Sequence, residues 1–283
     1  MLAIITDSTC DLRADDLEAL QVRSVPLYVN FQGKVHRDWV DIDPAKIIAG
    51  VQAGADLPST SQPSPEDFTK AYAGAVADGA TEILTVTISS GISGTFQSAN
   101  LAAKEASVPV SIVDSQNASA GIAILVRQAA RMRDAGASRE AIVDMLESMK
   151  RHMMVLFSVG TLEFLQKGGR IGRAQAFLGG ILNVRPILTL EDGKIAPAAK
   201  ARGTKKAIAE IVERIKAHAA QHHGDLVLDF LHIQDASLAE NLRRAIRDAG
   251  VEFSDGSLYE IGAVIAAHVG PGTFGVYAHV KPA

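Results

Sequence analysis

The sequence contains one cysteine, Cys10, in 283 residues. A single thiol rules out an intramolecular disulfide and fits a reducing compartment, with Cys10 read as a small packed side chain. There is no excess of basic charge. The formal net charge is −4, so no global positive field argues for nucleic acid or an anionic membrane surface. There is no long apolar run either. The longest, 118–126, stops at Arg127, too short to span a bilayer. The opening MLAIITDSTC lacks the basic n-region and apolar core of a signal peptide. These absences predict a soluble, cytoplasmic protein.

Several motifs are missing or fail in context. No Gly-Lys-Ser/Thr triplet occurs, which argues against a self-contained P-loop kinase. GPGTFG at 270–275 matches the dinucleotide pattern, but that fingerprint must open a helix and the following 276–280 reads as a strand. Asp38, Asp41 and Asp43 lie close together without the calcium-loop spacing, so 35–43 is expected to be a solvated loop. His222 and His223 follow a helix without zinc spacing and are expected at a solvated helix end. No metal and no cofactor are expected.

What is present is a globular composition, 47% hydrophobic and 21% charged, able to bury a sizeable core. The most informative stretch is 83–99, ILTVTISSGISGTFQSA: an apolar run, a Ser/Gly/Thr turn, then a segment that can be helical. A strand feeding such a loop onto a helix N-terminus makes an anion site, through free N–H groups and the helix dipole. Ser89, Ser90, Ser93 and Thr95 add hydroxyls. Two other apolar runs end likewise, 2–5 at Thr6-Asp7-Ser8 and 110–113 at Asp114-Ser115. Strand ends bearing small polar residues suggest one shared rim. Asp7 or Ser8 also suits a helix cap, the simpler role.

Strand and helix alternate through the first half, as in a parallel α/β domain. A strand is expected over 25–31 with Pro26 near its edge. The segment 57–65 is dense in hydroxyls and proline; Ser59, Thr60, Ser61 and Gln62 are expected in an ordered loop before a helix capped by Ser64 with Pro65 at its first position. Helices over 118–135 and 139–150 follow, the second capped by Ser138. The second half changes character: a strand over 155–159, a short helix ended by Lys167-Gly168-Gly169, a helical stretch to Asn183, and a hairpin around Glu191-Asp192-Gly193. Lys200, Arg202, Lys205 and Lys206 form a basic patch, either a solvated face or a docking surface. His268 follows the apolar run 261–267 and precedes a Gly-Pro-Gly turn. It is either a buried histidine satisfied by a backbone carbonyl or a donor to a ligand carboxylate.

Taken in order, Ile5-Thr6-Asp7-Ser8-Thr9, Thr60-Ser61-Gln62-Pro63, Ser89-Ser90-Gly91-Ile92-Ser93-Gly94-Thr95, Lys167-Gly168-Gly169-Arg170-Ile171, Arg202-Gly203 and His268-Val269-Gly270-Pro271-Gly272 resemble the DegV family. These are the fatty-acid-binding subunits of bacterial fatty acid kinase. The resemblance covers nearly the whole chain. It implies a two-domain α/β protein: an N-terminal three-layer α/β/α domain with a parallel sheet over 1–158, and a C-terminal two-layer α/β domain with a mixed sheet over 159–283. One long-chain fatty acid would lie in a tunnel between them. Thr60 or its neighbour Ser61, with Ser93 and His268, would hold the carboxylate, supported by Gly94, Thr95 and Arg170. A separate ATP-dependent fatty acid kinase would phosphorylate that carboxylate, docking at Arg173 and Arg202, and the product would feed phospholipid synthesis. On this reading the chain is a carrier and not itself an enzyme, for which transient membrane contact is compatible. Candidate tunnel residues are Ile92, Phe96, Leu162, Phe164 and Leu178. The competing expectation is an esterase or acyltransferase with Ser93 as nucleophile, His268 as base and Asp229 as acid.

Overall fold

A short β-rich opening forms β1 (Leu2–Asp7), which runs through a 3-10 turn (Ser8–Cys10) into α1 (Ala14–Ala19) and β2 (Val22–Val25). The computed structural model describes residues 1–178, 184–221 and 225–281. Next come β3 (Tyr28–Phe31), β4 (Lys34–Arg37), α2 (Pro44–Gln52), β5 (Ser59–Ser61), α3 (Pro65–Ala77), β6 (Glu82–Thr87), α4 (Thr95–Ala103), β7 (Val110–Asp114), α5 (Ala120–Asp134) and α6 (Arg139–Lys150). The second half holds β8 (Met154–Ser158), α7 (Glu163–Lys167), a 3-10 turn (Gly172–Phe177), β9 (Val184–Glu191), β10 (Lys194–Arg202), α8 (Gly203–Gln221), β11 (Leu226–His232), α9 (Ala236–Asp248), β12 (Ser254–Glu260), α10 (Ala263–Val269) and β13 (Phe274–Val280).

The first sheet is four-stranded, ordered β2-β1-β6-β7 and parallel throughout. Phe68 and Tyr72 of α3 and Ala99 and Ala102 of α4 pack with Ile5 and Ile83 of the sheet. On the other side α5 lies against β1 and β6, and α6 against β6 and β7. Three layers result, as expected. The second sheet is six-stranded, ordered β10-β9-β8-β13-β11-β12, and mixed: only the β11–β12 pair is parallel. Ile211 and Ile215 of α8 and Leu242 and Ile246 of α9 share a core with Leu228, Phe230 and Val276 of this sheet. A third, three-stranded sheet β4-β3-β5 stands apart from both.

α5 explains the longest apolar run in the sequence. Every residue from Ala120 to Val126 is buried, because the helix lies between β1 and β6 on one side and β11 on the other. A helix covered on all sides needs no polar face. Among the described residues no helix is long and apolar enough to cross a membrane. The helix caps read from sequence form: Ser64 and Asp67 close a reciprocal capping box on α3, and the Ser138 hydroxyl accepts the Ala141 N–H on α6.

The structure differs from expectation at several points. The strand predicted over 25–31 breaks at Pro26: β2 ends in the first sheet and β3 starts in the third, since proline lacks the N–H that a continuous central strand requires. Residues 59–61 are a short strand paired with β3, not a loop. β8 hydrogen-bonds to β13 and β9, so its residues 154–158 belong by pairing to the second sheet. The segment 35–43 is only in part the solvated loop expected: Val35, Arg37, Val40, Asp41 and Asp43 are exposed, but residues 35–37 belong to β4 and Asp38 is buried. Asp41 instead pairs with Arg37, and Asp43 caps α2 by accepting the Lys46 N–H. His222 and His223, and the end of the helical stretch expected to Asn183, lie outside the described residues.

Candidate functional site

A cavity opens where the carboxyl ends of the parallel strands face the second sheet, the usual position for ligands in open α/β folds. Its empty volume is about 900 Å³, solvent at the mouth included. The walls are largely apolar. Ile88 and Ile92 come from the segment after β6, Val155 and Phe157 from β8, Leu231 from β11 and Val264 from α10. Of the side chains expected to line a tunnel, Ile92 does so. Phe96, Leu162, Phe164 and Leu178 are not among the lining residues, and Leu162 and Phe164 are packed into the protein instead.

Thr60, Ser61, Gln62, Ser93, Arg170 and His268 are polar members of this lining, as are Ser119, Thr273 and Tyr277, whose hydroxyls already donate to Asp11, to the Val269 and Gly270 carbonyls and to the Ala118 carbonyl. The geometry of β5 decides which of two neighbouring hydroxyls points inward. Thr60 stands directly opposite Val29, a fully buried residue of β3. Facing residues on paired strands share a side, and successive residues alternate. Thr60 is therefore half-buried while Ser59 and Ser61 are exposed. Thr60 Oγ1 lies 2.7 Å from His268 Nε2. Ser61 also borders the cavity, on the other face of its strand.

His268 sits in the last turn of α10. Its Nε2 meets a threonine hydroxyl, not the backbone carbonyl of the simpler expectation, and its buried Nδ1 has no partner among the described residues. Desolvation, with the nearby Arg170 charge, lowers its pKa from 6.5 to about 4. The imidazole is neutral at physiological pH, with one nitrogen a donor and one an acceptor. The α7 end comes so close that a side chain on Gly168 would overlap the imidazole. This accounts for a glycine there without any appeal to backbone conformation.

Ser93 lies in the loop between β6 and α4. Its N–H donates to the Ser89 carbonyl at 3.1 Å, and its hydroxyl lies 2.8 Å from the Thr95 hydroxyl. Gly94 is the N-cap residue of α4 and has no side chain to cap it. A side chain at Gly94 would overlap Gln62, so the loop and the β5 end pack backbone against side chain. The start of α4 thus borders the polar end of the cavity, where the helix dipole favours an anion, and its first N–H, from Thr95, donates to Ser93 Oγ at 3.3 Å. Arg170 donates to the Ile92 and Gly168 carbonyls at 3.1 and 2.9 Å, holding its guanidinium at the rim.

The remaining sequence candidates lie elsewhere. Ser89 is buried and donates to the Gly193 carbonyl at the β9–β10 turn, while Ser90 pairs with Asp114. Asp7 caps the first 3-10 turn and also accepts the Ile88 N–H at 2.7 Å, so it shapes the cavity wall from behind without lining it. Exposed Arg173 pairs with Glu191 at 2.8 Å and with Asp192 at 3.6 Å. Arg202, at the end of β10, is exposed and has no ion pair among the described residues. A hydrolase triad does not assemble. Ser93 pairs with Thr95 and His268 with Thr60, while Asp229 lies 3.1 Å from His279 on a different strand. No cluster of metal-ligating side chains occurs among the described residues.

This arrangement has relatives. The DegV family model (uncharacterised protein, DegV family) matches residues 1–281. A DegV domain-containing protein of Deinococcus radiodurans is 41% identical over 275 residues, 97% of each chain. A fatty acid-binding protein of Thermotoga maritima is 35% identical over 278 residues, 96% of this chain and 95% of its own. Among solved structures, a fatty acid-binding DegV family protein from Thermus thermophilus superposes with a TM-score of 0.95 at 45% identity, covering 99% of both chains.

Proposed function

The chain belongs to the DegV family, and from that premise we propose that it carries a long-chain fatty acid in the cavity between its sheets with the carboxylate at the polar end. The observation that carries this reading is the division of the lining: aliphatic and aromatic side chains along the walls, and hydroxyls, an imidazole and a guanidinium gathered together. Burying the acyl chain contributes up to about 0.8 kcal/mol per CH₂, so affinity comes chiefly from the tail. The polar groups fix orientation. A carboxylate leaving water requires donors; Thr60, Ser93, neutral His268 and Arg170 can provide them, with Ser61, Gly94 and Thr95 flanking.

No group here is asked to break a bond. We assign the chain the part of a carrier that offers its carboxylate to a separate ATP-using kinase, with Arg173 and Arg202 in the docking surface. The cavity then lies at the junction of an N-terminal α/β unit bearing the hydroxyl loops and a C-terminal unit contributing α10. Native mass spectrometry of gently purified protein tests the carrier reading: a bound long-chain fatty acid is expected. No adduct, together with no binding of oleate by the delipidated protein, overturns it.

A further inference from the structure

On the side of α10 away from its histidine lie two acids that are not part of the cavity lining. Asp11 and Asp38 are 2% and 1% exposed. Asp11 Oδ1 accepts the Gly262 N–H at 2.9 Å and the Trp39 Nε1–H at 3.2 Å, and its Oδ2 accepts the Ser119 hydroxyl. Asp38 Oδ1 accepts the Val264 N–H at 3.3 Å, and its Oδ2 accepts the Ser8 hydroxyl at 2.8 Å. N–H groups that a helix start leaves without internal partners therefore end on carboxylates from the far end of the chain.

α10 has seven residues. So short a helix has little stability of its own, and its direction is set by what holds its ends. Its first turn is held by Asp11 and Asp38; its last turn carries His268. The same junction dictates Gly262. A Cβ there would stand 2.5 Å from Trp39 Nε1 and 2.7 Å from Asp11 Oδ1, although the backbone at φ −70° suits any residue. Gly262 is required by space.

We infer that Asp11 and Asp38 are positioning residues for the polar end of the cavity: by gripping the first N–H groups of α10 they set where His268 meets Thr60. The consequence for ligand affinity rests on the fatty-acid reading above; the consequence for His268 does not.

The charged and titratable groups around the pair are Asp7 and Cys10 on the β1 end, Tyr277 on β13, and Arg13, whose guanidinium lies 3.8 Å from the Trp39 ring centroid. No cation hydrogen-bonds either carboxylate among the described residues. Desolvation accordingly raises the Asp38 pKa to about 7 and that of Asp11 well above the usual carboxylate range. A protonated acid still offers its carbonyl oxygen to an N–H donor. Asparagine can therefore replace either residue in this role, and alanine cannot.

The experiment compares Asp38→Ala, Asp38→Asn, Asp11→Ala and Asp11→Asn in the full chain. Three readouts are taken: the His268 ring resonances without ligand, amide exchange at 262–264, and oleate affinity by calorimetry. For the alanine variants we expect shifted His268 signals, faster exchange at 262–264 and oleate affinity weaker by about tenfold, with the asparagine variants close to wild type. Lower melting temperatures with unmoved His268 signals would mean that the acids only stabilise the fold, and would overturn the inference. Moved His268 signals with unchanged oleate affinity would support the positioning role and count instead against the head-group reading. Should the alanine variants not fold, Gly262→Ala disturbs the junction from the helix side with both acids intact; unmoved His268 signals there would also overturn it.

Discussion

Thr60 and His268 stand 208 positions apart in the chain, yet their side chains meet at 2.7 Å beside the apolar cavity. One comes from a three-residue strand in the smallest sheet, the other from the last turn of a seven-residue helix. α10 packs directly on β3 and β5, so the pair is held by backbone elements on both sides.

Removing the hydroxyls should weaken binding more than folding. Thr60→Ala and Ser93→Ala are each expected to lower oleate affinity by about tenfold, since a hydrogen bond to a charged group contributes about 1.5–3 kcal/mol. Calorimetry with a thermal melt checks this. Unchanged affinity beside a lowered melting point would make both residues structural.

His268 should titrate near pH 4 in the ligand-free protein, seen in the pH dependence of its ring resonances. Its folded pKa of about 4 lies below the ordinary 6.5, so the unfolded chain takes up the proton first. The stability it contributes is present above pH 6.5 and is lost as pH falls through about 4. A midpoint near 6.5 would contradict the burial argument.

Asp38 acts with the opposite sign. Its pKa is raised from 3.8 to about 7, so the folded state holds its proton longer than the unfolded chain. Its contribution is fully present below about pH 4 and is lost as pH rises through about 7. Comparing wild type with Asp38→Asn by urea unfolding at pH 5 and pH 8 isolates it from His268. The wild type should be favoured more at pH 5, and a difference independent of pH would refute the assignment.

Arg202→Ala should leave oleate affinity within about twofold of wild type, because a rim charge acts mainly on encounter with a partner. On the proposed carrier role, phosphorylation of the bound fatty acid by a separate ATP-using kinase should slow by about tenfold in a reconstituted assay. Loss of both activities together would place Arg202 in the lipid site.

Much of the fold could be read from local pattern. The alternation of apolar runs and capped helices gives the parallel sheet, and Ser64-Pro65 and Ser138 start their helices where sequence rules put them. The hydroxyl loop at 89–95 was legible because strand, glycines and helix start are contiguous. β5 and α10 were not. Three residues carry no usable periodicity, and α10 lies between Gly262 and Gly270 in a segment whose apolar run fits strand or helix equally. Asp38 was misread for a different reason. An acid among other acids looks solvated, and its burial depends on a Val264 N–H 226 positions away. The choice between Thr60 and Ser61 likewise waits on the partner strand, because only the Val29 pairing fixes which face looks inward.

β13, the last strand along the described residues, lies between β8 and β11 in the interior of the second sheet. During synthesis, β8 and β11 therefore emerge before the strand that pairs with both of them. A chain interrupted before Phe274 would have two unpaired strand borders facing each other, the kind of surface on which chains adhere to one another. Phe157 and Leu231 of the cavity wall both pair with Gly275 of β13, so this wall is completed only once that strand has been made.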